Sequence, residues 1–325
     1  MSLHQPFRHP FPWLIVLVVA VFALLPWWGG NVELREGLLL AAVYVTLATN
    51  LNLMIGYAGY VNFGNIVFFG LGGYFCVFLV TEWHWPFVAA VLVAGVVVSL
   101  LALLLGLGIL RLRGAFFALA TIGINEAVQA FVANFEPWGG ATGIYLSLDA
   151  YAQLGGPGQA LWTVYFLIVA VMGASLFLSY GIKTSKFGLG LLAIGHNEDA
   201  AAVLGVPTPF YKALAYSASA FLPAMAGGLY FFKSGIIEPQ AAFDLTLSIE
   251  AIVMVMLGGF GTVTGAALGA FLYEELRSWL LTAETFSHFQ LVIAGVLLLA
   301  IVLFTPGGLM GFIYRTFPRL RRYLA

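Results

Sequence analysis

The sequence predicts an all-α bundle of about ten membrane-crossing elements, some of them interrupted by glycine. Three observations carry this. Of 325 residues, 62% are hydrophobic and 8% charged, against about 25% charged and roughly half apolar in a soluble domain. Such a chain cannot cover its surface in water. Nearly uncharged apolar runs of about 18 or more residues, long enough to cross the hydrocarbon layer as helices, recur along the whole sequence. Two clusters of close glycines break otherwise apolar sequence: Gly56, Gly59 and Gly64 in GYAGYVNFG, and Gly258, Gly259, Gly261 and Gly265 in GGFGTVTG. Residues 1–325 read as a single domain whose main solvent is lipid.

In chain order, hydropathy and loop breaks place spans at 13–28, 37–55, 63–80, 87–110, 115–134, 161–181, 211–232, 263–281 and 288–304. The first follows His4, Arg8 and His9 as a secretion signal would, but it ends in PWWGG without a small-residue cleavage site. It is expected to stay as a span, the alternative being a cleaved leader. The stretch 247–257, LSIEAIVMVML, is short for a separate crossing. Charge decides whether it counts, because Lys and Arg favour cytoplasmic loops. With ten elements and both termini inside, the inner side holds Arg8, Arg111, Arg113, Lys183, Lys186, Lys212, Arg315, Arg319, Arg321 and Arg322, leaving Arg35, Lys233 and Arg277 outside. With nine elements the asymmetry nearly vanishes. Ten are therefore expected.

Glycine allows close backbone approach and unwound turns. Paired Gly-interrupted segments in two halves of a membrane protein point to a solute path near the midplane, the alternative being ordinary helix packing. A net charge of −1 gives no reason to expect nucleic acid as a partner. The single cysteine, Cys76, permits neither an intrachain disulfide nor a thiolate metal cluster. His4, His9, His84, His196 and His288 fall in tails or loops, which argues against a metal-dependent membrane enzyme. No phosphate-binding G-x-x-x-x-G-K-[ST] loop is present, so neither an ATP site nor any other cofactor is expected in this chain.

Five stretches in order carry a family resemblance: NLNLMIGYAGYVNFGNIVFFGLGGY from Asn50, RLRGAFFALATIGINE from Arg111, the long segment SKFGLGLLAIGHNEDAAAVLGVPTPFYKALAYSASAFLPAMAGGLY from Ser185, SIEAIVMVMLGGFGTVTGAALGAF from Ser248, and TPGGLMGF from Thr305. The chain resembles the permeases of branched-chain amino acid ABC importers, specifically the longer of their two paired permease subunits. The resemblance implies a multi-pass protein of the bacterial inner membrane. Its partners would be a second homologous permease, two cytoplasmic ATPase subunits and a periplasmic solute-binding protein. Leucine, isoleucine and valine are the solutes it favours; related permeases take urea, amides or other amino acids. A passive channel is the competing reading.

The segment NEDAAAVLG resembles the helix by which such permeases dock on their ATPases. Its chemistry suits a short helix: Asn197 can cap it, Glu198 and Asp199 favour its positive end, Ala200 and Ala201 have good propensity, and Gly205 with Pro207 stops it. Ala201 is expected on the face that meets the partner. The alternative is an amphipathic helix lying on the inner leaflet, helped by Lys183 and Lys186. Where the family usually has arginine before the Asn-Glu pair, this chain has His196.

Polar groups inside spans face a polar interior or another helix. Asn125, Glu126 and Gln129 are the first candidates for lining the route, with Glu126 and Gln129 on one helix face. The family often has arginine at the place of Gln129. Asn50, Asn52, Asn62 and Asn65 flank the first glycine cluster and form a second set, able either to meet an amino acid or to satisfy backbone freed by the glycines. Glu250 is expected to cap its short helix. The loop 135–160, with Glu136 and Asp149 and no Lys or Arg, is a candidate surface for the binding protein, the alternative being a plain solvated loop.

Overall fold

The computed structural model describes residues 11–29, 32–282, 292, 295–296 and 307–316. The elements follow the apolar runs closely. Helices α1 (Phe11–Gly29), α2 (Val32–Asn52), α3 (Asn65–Thr81), α4 (Phe87–Ile109) and α5 (Ala115–Ala133) come first. A strand β1 (Ile144–Tyr145) and a short α6 (Leu148–Ala152) lead into α7 (Pro157–Thr184), α8 (Lys186–His196), α9 (Glu198–Val203) and α10 (Thr208–Ser234). Strand β2 (Ile236–Ile237), α11 (Pro239–Ala242), α12 (Leu245–Gly258), α13 (Val263–Thr282) and α14 (Gly308–Thr316) complete the order. The expected span at 288–304 falls largely outside the described residues.

Among the described residues, five helical stretches are by length and composition alone apolar enough to cross a bilayer, and Phe11–Trp27 and Asn65–Thr81 are shorter apolar helices. Two expected spans, α10 and α13, are not among these. Helix α13 carries Glu274, Glu275 and Arg277, while α10 has polar and small residues that pack inward, such as Ser217, Ser219, Ala224 and Gly227. The short stretch 247–257 is one part of a broken element. Helices α11 and α12 together run over Pro239–Gly258, with the break at Phe243 and Asp244.

Helix α2 is the axis of the bundle, buried over nearly all its length. It packs against α7, α10, α12 and α13, while α3, α4 and α10 form a second tight group. Glycine makes that group possible: a Cβ on Gly72 of α3 would lie 2.1 Å from the Ala224 carbonyl oxygen of α10. Only small residues let helix backbones meet at such range. Cys76 is buried at the same α3–α10 contact, against Gly228. At the end opposite α8 and α9, β1 pairs antiparallel with β2, Ile144 opposite Ile237. The loop 135–160 is thereby tied to the bundle. Its Trp138 is buried and stacks on Tyr74 at 5.3 Å, leaving Glu136 and Asp149 exposed.

Candidate functional site

The segment after α8 folds as its residues dictate. Asn197 is extended, and its Oδ1 accepts from the Ala200 N–H at 3.0 Å, capping α9. Gly205, at φ +88°, ends the helix in a conformation that side chains with a Cβ disfavour. Glu198, the first helical residue, is held from three sides. Its carboxylate accepts from Lys212 Nζ at 2.7 Å and from the Tyr60 hydroxyl at 2.7 Å, and Arg113 Nε lies 3.3 Å away. Burial opposes ionisation of Glu198, but the Lys212 and Tyr60 hydrogen bonds and the nearby cations outweigh it. Its carboxyl therefore sits below the usual glutamate range. Asp199 is exposed and paired with Arg113 at 3.0 Å, which lowers its carboxyl. A pair so open to solvent adds little stability.

Lys212 is the centre of this cluster. Its ammonium is buried and directs its donors to Glu198, to the Tyr60 hydroxyl at 3.0 Å and to the Leu110 carbonyl at the end of α4 at 2.6 Å. A lysine has three such donors, so its hydrogen-bonding capacity is filled. Ala201 differs from expectation. It is 1% exposed, turned into its own chain, whereas Val203 and Leu204 are 88% and 82% exposed. The open end of α9 is apolar and is carried by those two residues, with Asp199 exposed at its first turn. Any substitution at Ala201 tests how α9 is seated, not what docks on it.

The two glycine clusters meet. Asn52 Oδ1 accepts from the Gly261 N–H at 3.0 Å, and its Nδ2 donates to the Thr262 carbonyl at 3.1 Å. A Cβ on Gly56 would lie 2.5 Å from the Gly261 nitrogen. Here α2 widens into a π-helical turn, Leu53–Tyr57, before unwinding, a local form that is common at functional sites. Gly59 takes φ +74° and Gly64 precedes α3. In the second cluster Gly259 and Gly261 have positive φ, while Gly258 and Gly265 bring α12 onto α13, where a Cβ on Gly258 would be 1.7 Å from the Gly265 carbonyl oxygen. Close helix packing and unwound turns thus occur side by side in these segments.

The other polar candidates divide. Asn50 donates to the Thr46 carbonyl and to Ser175 Oγ at 2.9 Å, Asn62 accepts from the Gly64 N–H, and Asn125 donates to the Phe243 carbonyl at 2.9 Å. Asn65 is buried at the start of α3. Four of their amide atoms, Asn50 Oδ1, Asn62 Nδ2, Asn65 Oδ1 and Asn125 Oδ1, are buried without a hydrogen-bond partner among the described residues. Helix α5 buries only Phe117, Thr121, Asn125 and Val132, so Glu126 lies exposed on its open side and Gln129 is half-buried. Glu250 does not cap α12. Asp244 does, accepting from the Thr246 N–H at 2.9 Å, and Glu250 lies further along, buried and paired with Arg277 at 3.7 Å. The shift of cap follows from where the element breaks.

Tyr60, Lys212, Val203 and Leu204 were not singled out by the sequence. Tyr60 and Lys212 are 152 residues apart, and no local spacing signals their meeting. For Val203 and Leu204 the signal was present, two large apolar residues just before a helix-ending glycine in a loop.

The chain is thus a helical membrane bundle with a capped helix, apolar and open at its last turn, at one end and interrupted helices inside. The chain belongs to the family described as branched-chain amino acid transport system / permease component, whose model matches residues 34–302, and is thus a permease component of an ABC-type transporter. It is 26% identical over 294 residues to the high-affinity branched-chain amino acid transport system permease protein LivM of Escherichia coli, covering 83% of this chain and 68% of that one. The Salmonella typhimurium LivM is 25% identical, with 91% and 74% covered. It is also similar to the autoinducer 2 import system permease protein LsrC of Yersinia pestis, 25% identical with 89% and 74% covered. No solved structure shows a significant match.

Proposed function

We propose that the chain imports branched-chain amino acids through a pore shared with a second, homologous permease, opened by two ATPase subunits bound at α9 and supplied by a periplasmic binding protein. The observation that carries the reading is the Val203–Leu204 pair, apolar and exposed on a helix whose base is clamped by Glu198, Lys212 and Tyr60. An apolar tip on a clamped base suits docking into a groove of a partner. A helix lying on lipid would gain nothing from the buried clamp. The open side of α5 supports a second permease, since Glu126 there would cost at least about 2.5 kcal/mol against lipid.

Leu204→Glu and Val203→Glu are the test. Both positions are surface positions, so the chain should fold as before. Co-purification with the ATPase subunits and transport-stimulated hydrolysis in liposomes are both expected to be lost. Full assembly in both variants would move the docking site elsewhere. The solute rests on the family and on the two LivM relatives, while the LsrC similarity shows how far solutes diverge among relatives. Uptake of labelled leucine, competed by isoleucine and valine and not by urea, is the expected pattern.

Both termini are proposed to be cytoplasmic, on the ten-to-three distribution of Lys and Arg. A C-terminal reporter fusion is expected to be active only in the cytoplasm. Activity in the periplasm would reverse the assignment.

A further inference from the structure

We infer that Tyr60 is a positioning residue that delivers movement of α9 directly to the first glycine-interrupted segment. The inference rests on the docking reading of α9 and extends it inward. Tyr60 lies in the unwound stretch between the π-helical turn and α3, and its hydroxyl both donates to Glu198 at 2.7 Å and accepts from Lys212 at 3.0 Å. Burial and the Glu198 carboxylate raise the Tyr60 phenol, so it remains a donor to that carboxylate at every physiological pH.

The same segment touches the α8–α9 elbow a second time. A Cβ on Gly195, at the end of α8, would lie 2.6 Å from the Tyr57 carbonyl oxygen, and one on Gly59 would be 3.3 Å from Gly195. The backbone just before α9's cap therefore rests on the Tyr57–Gly59 segment. Glu198 adds a charged hydrogen bond to that contact, and charge-assisted bonds are the stronger kind. Beyond Tyr60 the segment leads within two residues to Asn62, and before it Gly56 meets Gly261 of the other glycine cluster. Movement of α9 thus has a short covalent and hydrogen-bonded route to the place where both interrupted helices join. Without the Tyr60 bond, the α8–α9 elbow would still rest on the segment through Gly195, while α9 itself would be held by Lys212 and Arg113, on α10 and the α4–α5 loop.

Tyr60→Phe removes the hydroxyl and keeps the ring, which packs edge-on against Phe117 at 5.1 Å. The readout is a thiol at the neighbouring position, Val61→Cys, which is exposed, while Cys76 is fully buried and gives a silent background. The transporter assembled with its second permease and two ATPases in vesicles is labelled with a water-soluble maleimide, without nucleotide and then with ATP and vanadate. With Tyr60 intact, nucleotide is expected to change the labelling rate severalfold. With Tyr60→Phe the change should shrink severalfold while ATPase co-purification remains. An undiminished nucleotide-dependent change in Tyr60→Phe overturns the inference, as does the absence of any change with Tyr60 intact. Loss of ATPase co-purification in Tyr60→Phe also overturns it, by placing Tyr60 in docking. Failure of the docking reading shows separately, in the Leu204→Glu and Val203→Glu variants.

Discussion

Gly227→Val is expected to abolish the folded protein, with no monodisperse peak for a fluorescent fusion in mild detergent. Helices α3 and α10 touch through their backbones at Gly227 and Gly72. A Cβ on Gly227 would lie 1.9 Å from the Phe69 carbonyl oxygen, where ordinary contact begins at 3.4 Å. A peptide carbonyl cannot rotate away as the end of a side chain can, so the helices would have to separate by more than an ångström. Overpacking that side chains can absorb costs about 1–3 kcal/mol. This substitution also opens the contacts around it, including that of Gly228 with Cys76 and the edge-on packing of Phe68 on Tyr216 at 5.1 Å. The comparison is Gly108→Val in α4, where an added Cβ meets nothing within 4 Å, and it should melt close to the parent protein. Equal melting of the two variants would mean that α3 and α10 are not in backbone contact.

Most of the long helices were legible because a bilayer imposes one length on every helix that crosses it, and an apolar run of that length needs no knowledge of its neighbours. The broken element at 239–258 was harder to read. Its first part, Pro239–Ala242, is four residues long and carries no periodicity, so only the α12 part stood out. The α9 cap and its stop were legible for the opposite reason, that Asn197, Glu198, Asp199 and Gly205 act on backbone within a few residues of themselves. Which way α9 faces was not legible. Six residues make fewer than two turns, and the side of Ala201 is fixed by how the helix sits on its own chain. Asn52 shows a further limit. Its amide type suggested backbone satisfaction near glycine, but the backbone it satisfies belongs to Gly261 and Thr262, some 210 residues away.

Arg277→Met is expected to destabilise the bundle by about 3–5 kcal/mol, the cost of leaving buried charge without its partner. Arg277 of α13 stands between Glu250 of α12 at 3.7 Å and Glu274 of its own helix at 3.8 Å, with its guanidinium 5.8 Å from the Tyr44 ring of α2. Glu250 is 3% exposed and Glu274 is 4% exposed. The guanidinium therefore sits among three helices and faces two carboxyl groups that water barely reaches. Methionine matches much of the stem's volume, so the loss isolates the charge. The triple variant Glu250→Gln, Glu274→Gln, Arg277→Met removes all three charges together, and because a buried ion cluster contributes little beyond its own desolvation, it should recover most of the lost stability. Thermal melting of the fluorescent fusion separates the two. If Arg277→Met melts with the parent protein, the cluster does not hold α12 against α13, and the close approach of Gly258 to Gly265 is enough to seat the broken helix.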